Sequence, residues 1–117
     1  MWAINNIGRL YQNGLGVPVD EALAAQWFRA AAEGGNPVAQ YNLGSLYVRG
    51  RGVPQSNRDA HYWWSVALRG DLADDVRDDV KHDLRLVESE LSSADLEESR
   101  RLAKAWQPKA PTQLPRN

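Results

Sequence analysis

The densest group of chemically reactive side chains is an acidic run between residues 74 and 83 that also contains a histidine. Its members are Asp74, Asp75, Asp78, Asp79, His82 and Asp83. In a helix, Asp78 and His82 would lie one turn apart on the same face and could share a metal ion. Sites for calcium or magnesium, however, draw their ligands from loops or from several elements. The run is therefore predicted to be a solvated acidic helix surface, with no metal and no cofactor.

Nucleophilic and acid–base chemistry has equally little support in the sequence. The chain contains no cysteine, which excludes a thiol nucleophile and a cysteine-based zinc site. His61 stands alone on a predicted packed helix, and such a histidine is usually structural or surface-exposed. No serine–histidine–acid set and no pair of carboxylates has a reason to converge. The chain is accordingly predicted to have no catalytic residues and not to be an enzyme.

Two glycine-rich segments raise the question of phosphate binding. YQNGLGVP occupies residues 11–18, and YVRGRGVP occupies residues 47–54. A phosphate-binding loop of the GxxxxGK(S/T) type follows a strand, whereas these segments lack that pattern and follow predicted helices. They are therefore predicted to be turns.

The two turns belong to an internal repeat. Residues 3–34 align with residues 39–70 at a constant offset of 36 without a gap, and 13 of the 32 positions are identical. Self-similarity at a period of roughly 20–50 residues is typical of stacked-repeat proteins. Apolar residues recur at helical spacing in two stretches of each unit, which predicts a pair of helices. In the second unit the two apolar faces are Ala39, Leu43, Leu46 and Tyr47, and Ala60, Trp63, Trp64 and Ala67.

Small and polar residues predict where these helices begin, end and touch. Gly50 is placed to end the first helix of its unit in a left-handed conformation, Gly52 allows a second unusual backbone angle, and Ser56 is a suitable N-cap for the second helix. The same roles in the first unit fall to Gly14, Gly16 and Asp20. Glycine inside a helix costs about 1 kcal/mol relative to alanine, so Gly8 and Gly44 predict close helix contacts, with Trp27 or Trp63 filling the space nearby. Most of the tryptophans are predicted to be core residues.

The segment NLGSLYVRGRGVPQSNRDAHYWWSVALRG, residues 42–70, resembles a Sel-one-like repeat, a branch of the tetratricopeptide-like helical repeats. The resemblance covers residues 3–70. The 36-residue period and the GxGV turn favour this branch over the tetratricopeptide repeat, whose period is about 34 residues. The resemblance implies an all-α fold, an α/α superhelix or solenoid, and a role in holding other proteins without catalysis.

The third unit departs from the repeat. Val76, Val80, Leu84, Val87 and Leu91 form one apolar stripe that predicts a long helix capped by Asp71. Ser92 and Asp95 predict the start of a last helix, whose inner side is expected to carry Leu96, Ser99, Leu102, Ala103 and Trp106. The sequence thus predicts helices near 3–13, 20–33, 37–49, 57–69, 72–91 and 93–106. A single solenoid domain is expected over 1–106, with repeats at about 3–36 and 37–70 and a capping hairpin at 71–106, followed by a flexible polar tail over 107–117.

Composition excludes several functional classes. The net charge of −1 gives no electrostatic footprint for nucleic acid. Residues 1–70 carry a net charge of +2 and residues 71–117 a net charge of −3, so an acidic end is available to a basic partner. No apolar run approaches the roughly 20 residues that cross a bilayer, and the first residues do not resemble a signal peptide. Membrane insertion is not expected, and a cytoplasmic location is slightly favoured.

The function predicted from these features is that of an adaptor, which binds a protein or peptide along the concave surface of the first helices. The residues expected to face such a partner form two equivalent polar rows: Asn6, Arg9 and Asn13, and Asn42, Ser45 and Arg49. An asparagine amide can pair with both the N–H and the C=O of a peptide backbone. An ordinary polar helix surface explains the same rows.

The alternative prediction is a structural or assembly element, or a fragment of a longer repeat protein. The first helix presents Trp2 and Ile4 with no preceding helix to cover them. A solenoid normally makes a terminal face polar, so this apolar edge predicts a homodimer through Trp2 and Ile4.

Overall fold

The computed structural model describes residues 20–109, and this part of the chain forms five α-helices and no strand. The helices are α1 (Glu21–Glu33), α2 (Pro37–Arg49), α3 (Asn57–Ala67), α4 (Asp74–Glu88) and α5 (Ser93–Ala105). The predicted helix at 3–13 lies outside the described residues. The five later helices are confirmed, and the fold is an all-α helical repeat.

α3 is the central helix of the described structure. It packs against α2, α4 and α5, while α1 packs against α2. The adjacent tryptophans of α3 enter two different apolar clusters. Trp63 joins the cluster around Phe28 and Leu43, and Trp64 joins the cluster around Val80. The prediction that Trp27, Trp63 and Trp64 are core residues is confirmed, since all three are buried.

Short polar side chains begin four of the helices. Asp20 and Ser56 accept backbone N–H groups three residues later at 2.9 and 3.1 Å, as predicted. Asn36 caps α2 in the same way, with Pro37 at the first helical position. Ser92 caps α5 at 3.1 Å.

The turn between α2 and α3 explains the repeated glycines. Gly50 ends α2 with φ 65°, and its N–H donates to the carbonyl of Leu46. Gly52 has φ 78°, and a Cβ at this position would collide with the carbonyl of Glu21 at the start of α1. Val53 then folds back onto the first apolar cluster. The turn therefore both ends a helix and docks against the preceding unit.

Gly44 marks a close helix contact, as predicted, but the tryptophan beside it is not the predicted one. A Cβ on Gly44 would lie 2.5 Å from Cδ1 and Nε1 of Trp64, not beside Trp63. The indole Nε1 of Trp64 donates to the carbonyl of Tyr41 at 3.0 Å, which fixes the ring over the glycine. Trp63 instead points into the first apolar cluster.

The start of α4 corrects the sequence prediction. α4 begins at Asp74, two residues late, and its N-cap residue Ala73 makes no side-chain hydrogen bond, so Asp71 is not the cap. Leu72 is buried in the second apolar cluster, which anchors the chain before the helix begins. The guanidinium of Arg77 donates to two carbonyls just after α3, at 2.8 Å each. This contact replaces the missing cap by tying the first turn of α4 to the end of α3.

The inner sides of α4 and α5 are largely as predicted. Val80 and Val87 are buried, and the other members of the α4 stripe are half-buried against the second cluster. On α5, Ser99 and Ala103 are buried. The prediction for Leu102 is wrong, because its side chain is 41% exposed. α5 presents small residues to α3, so the contact is too narrow to cover its flanking positions.

The chain after α5 turns back toward α1. Arg69 donates to the carbonyls of Ala103 and Trp106 at 2.8 Å each, and its guanidinium lies over the Trp106 ring. The N–H of Lys109 donates to the carbonyl of Glu33 at 2.6 Å. Residues 110–117 of the predicted tail lie outside the described residues.

Candidate functional site

A groove lies between α2 and α4, with α3 beneath it. It encloses about 210 Å³. We call it the α2–α4 groove. Its lining residues are Tyr41, Ser45, Val48 and Arg49 of α2, Trp64 of α3, and Asp83, Leu86 and Val87 of α4.

The floor of the groove is apolar and held in place. Trp64 and Val87 are buried at 4% and 7% exposure. The ring centroids of Trp64 and Tyr41 are 6.0 Å apart, and the indole hydrogen bond described above joins the same two residues. Because its aromatic residues are both packed and hydrogen-bonded, the floor needs little reordering to receive a partner.

The Tyr41 hydroxyl connects the two walls of the groove. It donates to Oδ2 of Asp83 at 2.7 Å, which links α2 to α4. Burial raises the pKa of Tyr41 far above its ordinary value, and the hydrogen bond to Asp83 and the charges of Asp83 and Asp79 raise it further. The hydroxyl therefore stays protonated across the physiological pH range and keeps the link.

The rim of the groove carries an exposed aliphatic side chain and charges of both signs. Leu86 is 58% exposed, the largest value among the exposed large hydrophobic residues of the described part of the chain. Arg49 is exposed at the end of α2, and half-buried Ser45 donates to the carbonyl of Tyr41 at 3.1 Å.

The structure places two of the predicted binding residues, Ser45 and Arg49, in the groove. Asn42 does not line it; this residue is half-buried and takes part in an interaction within the chain. The other residues predicted to bind a partner, and those predicted to mediate self-association, lie outside the described residues. They are Asn6, Arg9, Asn13, Trp2 and Ile4.

Sequence reasoning missed Asp83 and Leu86 as groove residues. Asp83 was assigned to a solvated acidic run, and Leu86 is a large apolar residue outside the stripe of α4. An aliphatic residue on the polar face of an amphipathic helix was the available signal.

Comparison with known families identifies the repeat. The Sel1 repeat model matches residues 3–36 and 37–71, which is more than half of the chain. The chain belongs to the Sel1 repeat family. The matched units agree with the predicted repeats, so the resemblance is confirmed. Sel1 repeats are in general protein-interaction modules, and their family typically consists of non-enzymatic scaffolds.

A solved structure supports the same assignment. The crystal structure of a protective antigen present in uropathogenic Escherichia coli strains, which displays a Sel1-like repeat (SLR) fold, matches with a TM-score of 0.81 at 31% sequence identity. The match covers 89% of this Sel1 repeat chain and 21% of the antigen chain. The chain therefore spans about a fifth of the antigen's length. No curated protein gives a significant sequence match.

The acidic run of this Sel1 repeat chain does not assemble into a metal centre in the described structure. Within residues 20–109, no three side chains of histidine, cysteine, aspartate or glutamate come together in a way that could hold a metal ion. Over the same range, none of the helices combines the length and the apolar character needed to cross a membrane.

His61 has a structural role in the Sel1 repeat chain. It is 1% exposed, with Nδ1 2.6 Å from Oγ of Ser99 and Nε2 2.9 Å from Oε2 of Glu88. Because an ionised carboxylate only accepts hydrogen bonds, Nε2 donates to Glu88, and Nδ1 pairs with the Ser99 hydroxyl. The three residue types match those of a hydrolase triad, but Ser99 is 0% exposed, so no substrate can reach its oxygen. The trio instead joins α3, α4 and α5.

A second cleft, of about 400 Å³, lies beside α1 and α3. It is lined by Arg29, Glu33, Tyr47, Asp59, Tyr62, Trp63, Trp106 and Lys109. The Arg29 guanidinium donates to the Tyr47 hydroxyl inside it. Its two cationic side chains are matched by two carboxylates, so its charge favours no class of ligand.

Proposed function

We propose that this Sel1 repeat chain is a non-enzymatic interaction module that binds a protein or peptide along its first helices, in the α2–α4 groove. The observation that carries the proposal is the position of Leu86. This side chain is 58% exposed and adjoins a buried aromatic floor. Covering an aliphatic side chain beside a preformed apolar floor removes apolar surface from water, which favours association.

Polar groups on the α2 side would orient the bound segment. Arg49 presents a guanidinium with several N–H donors, which suit backbone carbonyls or a carboxylate of the partner. Ser45 lies one turn earlier on the same face of α2 and contributes a hydroxyl oxygen that can accept a hydrogen bond. We extend the proposal to Arg9 and Asn13, the first-repeat equivalents of Ser45 and Arg49.

The proposal is tested by capture of a partner from the native host. A double variant, Arg49→Ala with Leu86→Ser, removes the guanidinium and the exposed aliphatic group, both of which lie at the rim. Capture should fall at least about tenfold, because truncating a residue that anchors an interface costs about 2 kcal/mol or more. The melting temperature should be nearly unchanged.

Glu97→Gln is the matched control, since Glu97 is an exposed residue on α5 away from the groove. Its capture should equal that of the unmodified chain. A double variant that keeps its melting temperature and captures the partner undiminished would show that binding occurs elsewhere.

A further inference from the structure

We infer that the α2–α4 groove takes an extended segment presenting a basic side chain next to an aliphatic one; this inference rests on the proposed function. Two residues of α4 that line the groove, Asp83 and Leu86, carry the inference, together with Asp79, which lies one turn before Asp83 and outside the lining. The three residues follow one another at spacings of four and three, so they lie in a row on one face of the helix.

The two carboxylates give this wall a negative charge. Asp79 is exposed, and half-buried Asp83 accepts the Tyr41 hydroxyl through Oδ2 only. Both are close enough to Tyr41 to contribute to its raised pKa. A carboxylate with two oxygens has about four acceptor sites, so Asp83 retains acceptor capacity toward a cation of the partner.

The cation on the facing wall does not pair with these carboxylates, although its charge acts on the same Tyr41 hydroxyl and partly offsets the rise in the pKa of Tyr41. Arg49 lies across the groove. Among the ion pairs of residues 20–109, none joins Arg49 to Asp79 or Asp83. An incoming lysine or arginine would meet Asp83 in the groove and Asp79 one helical turn away, neither of which forms an ion pair within residues 20–109. Arg49 would bind carbonyl groups of the same segment, which separates it from the incoming cation.

The spacing along α4 sets the pattern in the partner. Asp83 and Leu86 are separated by a rise of about 4.5 Å, from 1.5 Å per helical residue. An extended chain advances about 3.3 Å per residue. A basic residue one or two positions from a leucine, isoleucine or valine would thus place its charge at Asp83 and its aliphatic group against Leu86. An acidic segment would be repelled by the same wall.

A random-peptide display library tests this pattern directly. The library would be selected on the immobilised chain, and binders that also bind the Leu86→Ser variant would be removed. The remaining peptides should be enriched in lysine or arginine within two positions of an aliphatic residue. Their binding should weaken in high salt, because exposed ion pairs are screened.

Amide variants then isolate the charge. Asp83→Asn removes the charge and keeps an oxygen that can accept the Tyr41 hydroxyl. Asp79→Asn and Asp83→Asn should each lower the affinity for the selected peptides about threefold. The double variant should lower it about tenfold, as expected for exposed ion pairs. Glu97→Gln removes an equal charge from another helix and should have no effect.

The outcomes separate the inference from the proposed function. Leu86-dependent peptides without a basic residue, or with an acidic or proline-rich pattern, would overturn the inference and leave groove binding intact. Equal affinity for the unmodified chain and the double amide variant would overturn it as well. If the library yields no peptide whose binding depends on Leu86, the inference and the proposed function both fail.

Discussion

Gly44 decides how the second repeat packs, because the position has no room for even one methyl group. Its missing side chain leaves the space that the Trp64 ring fills, and Trp64 is in turn the floor of the α2–α4 groove. The glycine is therefore required both for packing and for the shape of the candidate site.

Gly44→Ala should lower the free energy of unfolding by up to about 2 kcal/mol, because an overpacking cost of about 1–3 kcal/mol is offset by a gain of about 1 kcal/mol in helix propensity. Its Cβ would lie 2.5 Å from the Trp64 ring, and overpacking of a fixed aromatic side chain carries a cost of this size. Chemical denaturation measures it. The control is Ser45→Ala on the half-buried side of the same helix, for which we expect a change within about 0.5 kcal/mol. Equal stability of the two variants would contradict the close contact.

The His61 trio makes stability depend on pH through Glu88. The hydrogen bond from His61 is the main cause that holds the pKa of Glu88 below its ordinary value, and the Arg100 guanidinium lowers it further. A lowered pKa in the folded state stabilises the fold when the carboxylate is ionised. The contribution is complete above the unfolded-state pKa of a glutamate and is lost as pH falls through the lower folded-state value.

Glu88→Gln should therefore flatten the acid limb of the stability profile. The unfolding free energy of the unmodified chain decreases as pH falls through the range in which carboxylates titrate. The unfolding free energy of the variant should decrease less over the same range, and this difference in slope should be confined to acidic pH. Denaturant titrations at a series of pH values measure this. Glu97→Gln serves as the control, and a profile for Glu88→Gln that parallels the unmodified one would rule out this role.

At the scale of the elements, the turn after α2 holds neighbouring units together. Gly50 and Gly52 both have positive φ, but only Gly52 abuts the backbone of α1. The two glycines therefore have different sensitivities to substitution, although the sequence presents them as one motif.

Gly52→Ala should destabilise the fold more than Gly50→Ala. Both variants place alanine in a left-handed conformation, at a cost of about 1–2 kcal/mol. Gly52→Ala adds a collision with the Glu21 carbonyl, for which a further 1–3 kcal/mol is reasonable. Thermal melting of both variants side by side measures the difference. Identical melting temperatures would show that α1 does not constrain the turn.

The helices that could be predicted from the sequence are those governed by local signals. α2 was predicted with its observed bounds, because Asn36, Pro37 and Gly50 mark its ends. The start of α4 was not predicted correctly. It depends on the burial of Leu72 and on the hydrogen bonds that Arg77 donates to the carbonyls at the end of α3. These contacts depend on tertiary structure and leave no local pattern.

The site was predictable to a smaller degree. The repeat placed Ser45 and Arg49 on an exposed face, and both line the groove. The opposite wall comes from the unit without repeat signals, and the bond that joins the walls connects Tyr41 to Asp83, 42 positions apart. A single sequence carries no sign of such a pair.

At the scale of the whole molecule, self-association through Trp2 and Ile4 remains a prediction. If Trp2 and Ile4 form an exposed apolar edge, as the sequence predicts, this edge favours pairing about a two-fold axis, and Trp2→Glu would place a charge in that contact. Light scattering at high micromolar concentration should show a dimer for the unmodified chain and a monomer for Trp2→Glu. A monodisperse monomer for the unmodified chain would refute it.

The central claim is that a partner occupies the α2–α4 groove, and site-specific photo-crosslinking tests it most directly. A photoreactive amino acid would replace Leu86 at the rim of the groove in one variant and Glu97 on α5 in the other. Both positions are exposed, so the probe itself should not disturb the fold. We expect a crosslinked partner from position 86 and none from position 97. Crosslinks of equal yield at both positions, or from position 97 alone, would contradict it.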